Sequence, residues 1–272
     1  MTDKKKVHWD IIPLTDSESE YGLGGLVSSV DARDYIAEAI YPETDAENLP
    51  ETLDLRPHLR PIRSQGKYGT CAAHTAICIK EYHEKKDVNL NADMSPQFVY
   101  NHRENYPDEG MFGRNVMAIL LKQGSCLEKT YPYKTQNIAT EMPKEAIEEG
   151  AKYKIKSYAQ VNTIAATKVA LYKNGPCYIS FPCYNHEPRF WKPASQNEKL
   201  LGGHAVTIVG YNEEGFIIRN SWGSSWAEKG YTNYGYGDFG THYEIWTTID
   251  EKSVEPIRPK EEKPMRCQCR IV

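Results

Sequence analysis

Gln65-Gly66-Lys67-Tyr68-Gly69-Thr70-Cys71 runs directly into Ala72-Ala73-His74-Thr75-Ala76-Ile77-Cys78-Ile79. Two glycines make the first stretch a tight loop, and Thr70 at its end is a residue type that caps helices. Ala73, Ala76, Ile77, Ile79 and Tyr82 then fall on one mostly apolar face, and Lys85 and Lys86 close it with the charge a helix C-terminus favours. The spacing predicts a helix from Thr70 onward with Cys71 at its N-terminus. Backbone N–H groups at such a terminus lower a thiol's pKa, and a thiolate is the form that attacks a carbonyl.

A nucleophilic thiol also needs a base, which the rest of the chain supplies at a distance. His204 opens the β-branched run Ala205 to Tyr211, and Asn220 ends the next strand-like run, Phe216 to Arg219. An antiparallel pairing of these runs puts the amide beside the imidazole, where it fixes tautomer and ring orientation without adding negative charge. Gln65 is placed so that its side-chain N–H and the Cys71 backbone N–H meet at an oxyanion; donors of this kind contribute about 10²–10³ in rate each. Trp222 is expected to roof the Asn–His hydrogen bond against water.

The surrounding chain divides into two halves. Helices are predicted from Ser95, from Gly113 to Lys122 with closure at Gly124, and from Thr163 to Lys173. Strands are predicted at Cys177 to Phe181, Ala205 to Tyr211 and Phe216 to Arg219. The expected architecture is α+β, with a helical lobe at about 60–140, a β-rich lobe at about 150–250, and the cleft between them. His74, three positions past Cys71, reads as a packed histidine and not a base. Cys78 and Cys126 read as core thiols, and Cys177 and Cys183 as neighbours on one strand face.

Composition narrows the function classes. The chain has 272 residues, 40% of them hydrophobic, with 33 basic and 37 acidic residues for a net charge of -4, so no basic face points to nucleic acid. The seven cysteines are odd in number and scattered, which fits a reducing compartment better than a disulfide scaffold, and the eight histidines are not set at metal-ligand spacing. Neither a metal nor another cofactor is expected. The first ten residues lack an apolar core, and no run approaches a membrane span, so neither a signal peptide nor a transmembrane segment is expected.

Taken together, these residues resemble the papain-like cysteine peptidases, in which the catalytic Cys is followed by His and Asn roughly 130–150 residues downstream. Here the intervals are 133 and 149 positions (204 − 71 and 220 − 71). Leu53-Asp54-Leu55-Arg56-Pro57, Ser95-Pro96-Gln97-Phe98-Val99-Tyr100, Asp108-Glu109-Gly110, Gly124-Ser125-Cys126, Tyr131-Pro132-Tyr133 and Asn220-Ser221-Trp222-Gly223-Ser224-Ser225-Trp226 carry the likeness across about 51–250. It implies the papain-like two-lobe fold and a cysteine endopeptidase acting on polypeptides through a covalent acyl-enzyme. Cys71 would be nucleophile, His204 base, Asn220 orienter and Gln65 oxyanion donor. Gly69, Thr70, Gly110, Met111, Gly203 and Trp222 would form the substrate path, with Gly110 pairing to substrate backbone. Acyl transfer by the same residues, or a non-catalytic binding protein of this fold, are the alternatives.

The departures are informative. Many members have a disulfide-bonded Cys where this chain has Tyr68 and a Trp where it has Ala72, so the resemblance is to the disulfide-free bacterial and viral type, in an intracellular reducing compartment or a virion. The helix motif of long papain propeptides is absent from residues 1–50, and so is the paired-histidine loop of cathepsin B, which favours an endopeptidase. Residues 1–50 are an extension with one helix-like stretch, Val30 to Ile40. They read either as a prosegment that inhibits by lying across the cleft and is removed near Leu49-Pro50-Glu51, or as a strap packed on the helical lobe. Residues 251–272 read as a flexible charged tail whose Cys269-Arg270-Ile271-Val272 fits a prenylation signal loosely, the one route to membrane contact. A monomer is expected.

Overall fold

The computed structural model describes residues 21–41, 44–133 and 142–250. Two large hydrophobic cores, with a smaller cluster of Phe98, Cys126, Tyr131 and Ala146, organise them. One surrounds the helix α3 (Cys71–Val88) with α4 (Pro96–Asn101) and α5 (Gly113–Lys122). The other lies in a seven-stranded sheet, six of whose strands run in the order β4-β9-β5-β6-β7-β8 while the seventh, β2 (Leu53–Asp54), pairs antiparallel with β6. Its strands are β4 (Ser157–Val161), β5 (Cys177–Cys183), β6 (Gly202–Tyr211), β7 (Gly215–Arg219), β8 (Tyr231–Gly235) and β9 (Glu244–Ile249). This is the expected α+β division. The remaining short elements are β1 (Gly25–Leu26), β3 (Met111–Phe112), α1 (Ala37–Ile40), α2 (Thr44–Glu47), α6 (Lys144–Gly150) and α7 (Ile164–Asn174).

Local chemistry accounts for most boundaries. Ser95 caps α4 by accepting the Phe98 N–H at 3.0 Å, with Pro96 in the first turn; Thr163 caps α7 by accepting the Ala166 N–H at 3.1 Å. Thr70 does not cap α3, contrary to expectation: its hydroxyl is committed to Tyr133 Oη at 2.7 Å. Nor does α3 present a solvated face. It packs against β6, α4 and α5, and its first fourteen residues are buried, including Lys80, Glu81 and His83. The buried Lys80 ammonium is held by Glu84 at 2.7 Å, which is what makes its burial tolerable. In the Val30–Ile40 stretch only Ala37–Ile40 is helical.

Register in the sheet decides where the site falls. β6 pairs with β5, setting Phe181 opposite His204, and with β7, setting Thr207 opposite Arg219, so Asn220 leaves the sheet beside the start of β6. Strands β4, β8 and β9 and helix α6 were not legible in the sequence. Cys71, Cys78, Cys126, Cys177 and Cys183 are buried free thiols. The tail with Cys267 and Cys269 lies outside the described residues, among which no helix is long and apolar enough to cross a membrane.

Candidate active site

Cys71, at the first turn of α3, faces β6: its Sγ accepts the Ala205 N–H at 3.4 Å. His204 precedes that residue, and its Nε2 donates to Asn220 Oδ1 at 2.8 Å. The same oxygen accepts the Ser221 N–H at 2.7 Å, so the acceptor end of the amide is fixed toward the ring and the ring's Nδ1 is left as the nitrogen free of a hydrogen bond. The Trp222 indole lies flat on the imidazole, centroids 4.3 Å apart and planes at 21°, which keeps water from the Asn–His bond. Register and packing thus bring together three residues separated by as many as 149 positions (220 − 71).

Gln65 is held just as firmly. Its backbone N–H donates to Ser221 O at 2.9 Å and its Oε1 accepts the Ser221 hydroxyl at 2.7 Å, which directs the Nε2 donors the other way. Those donors reach Tyr68 O at 2.8 Å and Gly22 O at 2.9 Å. Gly22 belongs to a stretch the sequence left as part of an undifferentiated extension. Residues 21–28 run through the cleft directly over the site.

That segment is joined to the cleft walls mainly by backbone. Gly22 N–H donates to Gly66 O at 2.9 Å, Gly24 N–H to Gly203 O at 2.9 Å, and Met111 N–H to Gly24 O at 2.8 Å, after which β1 pairs in parallel with β3. Tyr21 stacks on the outer face of Trp222 at 5.0 Å. The approach is too close for side chains: a Cβ on Gly24 would stand 2.1 Å from Gly69 O, and one on Gly203 would stand 1.9 Å from Gly25 O. Downstream, Ser28 donates to the buried Glu244 Oε1 at 3.1 Å and Asp34 pairs with Arg114 at 2.8 Å. Ile36 then bridges to Gln160 at the edge of the sheet.

Among the expected substrate-path residues, Gly69, Gly110, Gly203 and Trp222 contact the segment, and the Met111 N–H bonds to it. Thr70 faces Tyr133 instead, whose hydroxyl also donates to Gln65 O at 2.9 Å; Thr70 therefore braces the loop from behind. Glu244 was missed by sequence reasoning, since one carboxylate in an aromatic strand carries no local signal.

Covering the site changes its electrostatics. Burial pushes the Cys71 thiol up to about 11, countered only in part by backbone N–H groups of Ala205, Ala72 and Gly24, and pushes His204 down to about 3. Both are neutral in this state. Of possible metal ligands, His83, Asp87 and Asp250 bring donor atoms within 4.8 Å of one another, away from the cleft, with the Lys80 ammonium 3.5 Å from Asp250 supplying charge there.

Comparison with known proteins identifies the family. Residues 49–249 match the model of the papain family of cysteine proteases. An uncharacterised peptidase C1-like protein of Acanthamoeba polyphaga mimivirus is 31% identical over 220 residues, 71% of this chain and 70% of that protein. Cysteine proteinase 3 of Entamoeba histolytica is 27% identical over 203 residues, 67% of this chain and 61% of its own length. The crystal structure of xylellain, a cysteine protease from Xylella fastidiosa, superimposes with a TM-score of 0.75 at 26% identity, covering 85% of this chain and 97% of xylellain.

Proposed function

Because this chain belongs to the papain family of cysteine proteases, we propose that it is a cysteine endopeptidase working through Cys71, His204 and Asn220, and that residues 21–28 restrain it. With the cleft open, His204 takes the Cys71 thiol proton and the resulting thiolate attacks a peptide carbonyl, whose developing oxyanion receives the Gln65 Nε2–H and the Cys71 N–H. His204, oriented by Asn220, gives its proton to the leaving amine, and the acyl-enzyme forms. Water, deprotonated by His204, then releases the acid and restores the thiol.

The observation that carries this reading is the segment itself. An unbroken polypeptide backbone passes over Cys71 from Trp222 to Glu244, with the Gly22 carbonyl on the Gln65 donor. A cleft that accommodates continuous chain on both sides of the nucleophile suits cleavage within a chain. The same occupancy supports inhibition by residues 1–50, since a substrate backbone needs the partners that the segment holds. A test uses quenched fluorogenic peptides blocked at both ends, with the wild-type chain and Cys71→Ala. Internal cleavage by the wild type alone is expected; equal turnover by the two refutes the mechanism. Added amine nucleophiles appearing in the product would mark acyl transfer.

A further inference from the structure

Behind the triad lies a cavity of about 20 Å³, room for one water molecule, walled by residues that include His74, Thr75, Glu81, Thr207, Asn220 and Ser221. Two side chains on its walls have an unpartnered buried atom, and the two are complementary. His74 Nδ1 lies 3.0 Å from Thr70 O. A carbonyl only accepts, so Nδ1 carries the proton and Nε2 is an acceptor with no partner. Burial beside Arg63 and Arg219 pushes His74 down to about 3, which keeps this tautomer neutral at working pH. Asn220 is the mirror case. Its Oδ1 is used by His204 and Ser221, and its Nδ2 donors are buried and unpaired.

We propose that His74 is a positioning residue for the triad, acting through one buried water that accepts from Asn220 Nδ2–H and donates to His74 Nε2. Thr75, Thr207 and Glu81 line the same walls and offer polar groups for the water's second proton and second lone pair. The link decides the amide's orientation. A flipped Asn220 would turn its NH₂ toward the His204 Nε2–H and its oxygen toward the water, and the imidazole would lose the acceptor that holds it. His74 opposes the flip together with the Glu81 carboxylate on the same wall: once Nε2 and the carboxylate take the water's two protons, only its lone pairs are left, and these accept Nδ2–H and not a flipped Oδ1.

The inference rests on the Cys71–His204–Asn220 reading, and its test separates the two. In the full chain, a high-resolution crystal structure is expected to show one water within about 3.2 Å of both His74 Nε2 and Asn220 Nδ2; a dry cavity overturns the proposal whatever the activity. The kinetic arm compares His74→Phe, which keeps an aromatic ring without the acceptor, with His74→Gln, whose amide oxygen can reach the place of Nε2. His74→Phe is expected to lower kcat about tenfold with little change in KM, and His74→Gln to recover most of it. In an Asn220→Ala background, His74→Phe is expected to have no further effect. Equal losses in Phe and Gln variants, or the same loss with and without Asn220, reduce His74 to packing and overturn the proposal. A chain beginning at Glu51, freed of the covering segment, that neither cleaves peptide nor labels at Cys71 refutes the triad reading and this role with it.

Discussion

The walls of the cleft and the segment that fills it are held by opposite kinds of contact. Across residues 71–84 and 202–211 the side chains are almost all buried, and the partners lie far away in sequence. Between Gly22 and Gly25 the contacts are mainly backbone hydrogen bonds made by glycines, with Leu23 buried in the core and Tyr21 stacked on Trp222 just before them. Each buried large apolar side chain stabilises by about 1.5–3 kcal/mol, whereas an intramolecular hydrogen bond contributes about 1 kcal/mol net. The walls are therefore committed to one fold, while the segment can leave without unmaking it.

This contrast can be broken first by adding a side chain where there is no room. Gly24→Leu pushes the segment off the Gly69 carbonyl without altering a wall residue, and alkylation of Cys71 by a small epoxide is expected to quicken about ten- to a hundredfold. An unchanged rate would mean that the segment does not control access.

Acid should loosen the segment as well. His204 has its pKa lowered to about 3 in the covered site against 6.5 for a free imidazole, so covering is favoured above pH 6.5 and that contribution is lost as pH falls toward 3. The Cys71 thiol has the reverse sign: raised from 9.0 to about 11, it favours covering below pH 9 and ceases to as pH climbs through 11. Hydrogen exchange at the Gly22 and Gly24 amides, corrected for intrinsic rate, should therefore lose protection between pH 6.5 and 4 while the β6 amides stay protected. Parallel loss in both places would erase the distinction between wall and segment.

The smallest effects belong to the side-chain ties downstream. Asp34→Asn removes a partly buried ion pair to Arg114, and Ser28→Ala removes the hydroxyl on Glu244. Each should weaken docking by about 1 kcal/mol, a fivefold change in labelling rate.

Legibility in the sequence follows the same division. Cys71, Gln65, His204 and Asn220 could be located because a helix start, a glycine loop and two strand ends are local patterns, and the family spacing tied them together. Helix α3 was placed correctly, but the burial of Lys80, Glu81 and His83 was not legible, because such residues look solvated until their buried partners are known. Strands β8 and β9 mix Tyr, Thr, Asn and Trp without alternation, so their pairing partners, not their own residues, make them strands. That residues 1–50 could cross the cleft was an expectation, but which of them do was invisible for a related reason: Gly22-Leu23-Gly24-Gly25 has no periodicity, and its structure is supplied by the walls it lies on.

The most direct measurement is the initial rate of Cys71 labelling and peptide cleavage by the full chain beside a chain that begins at Glu51. A faster rate in the shorter chain, abolished in both by Cys71→Ala, is the result expected of a covered Cys–His–Asn peptidase. Equal rates, or cleavage that survives the loss of Cys71, would contradict it.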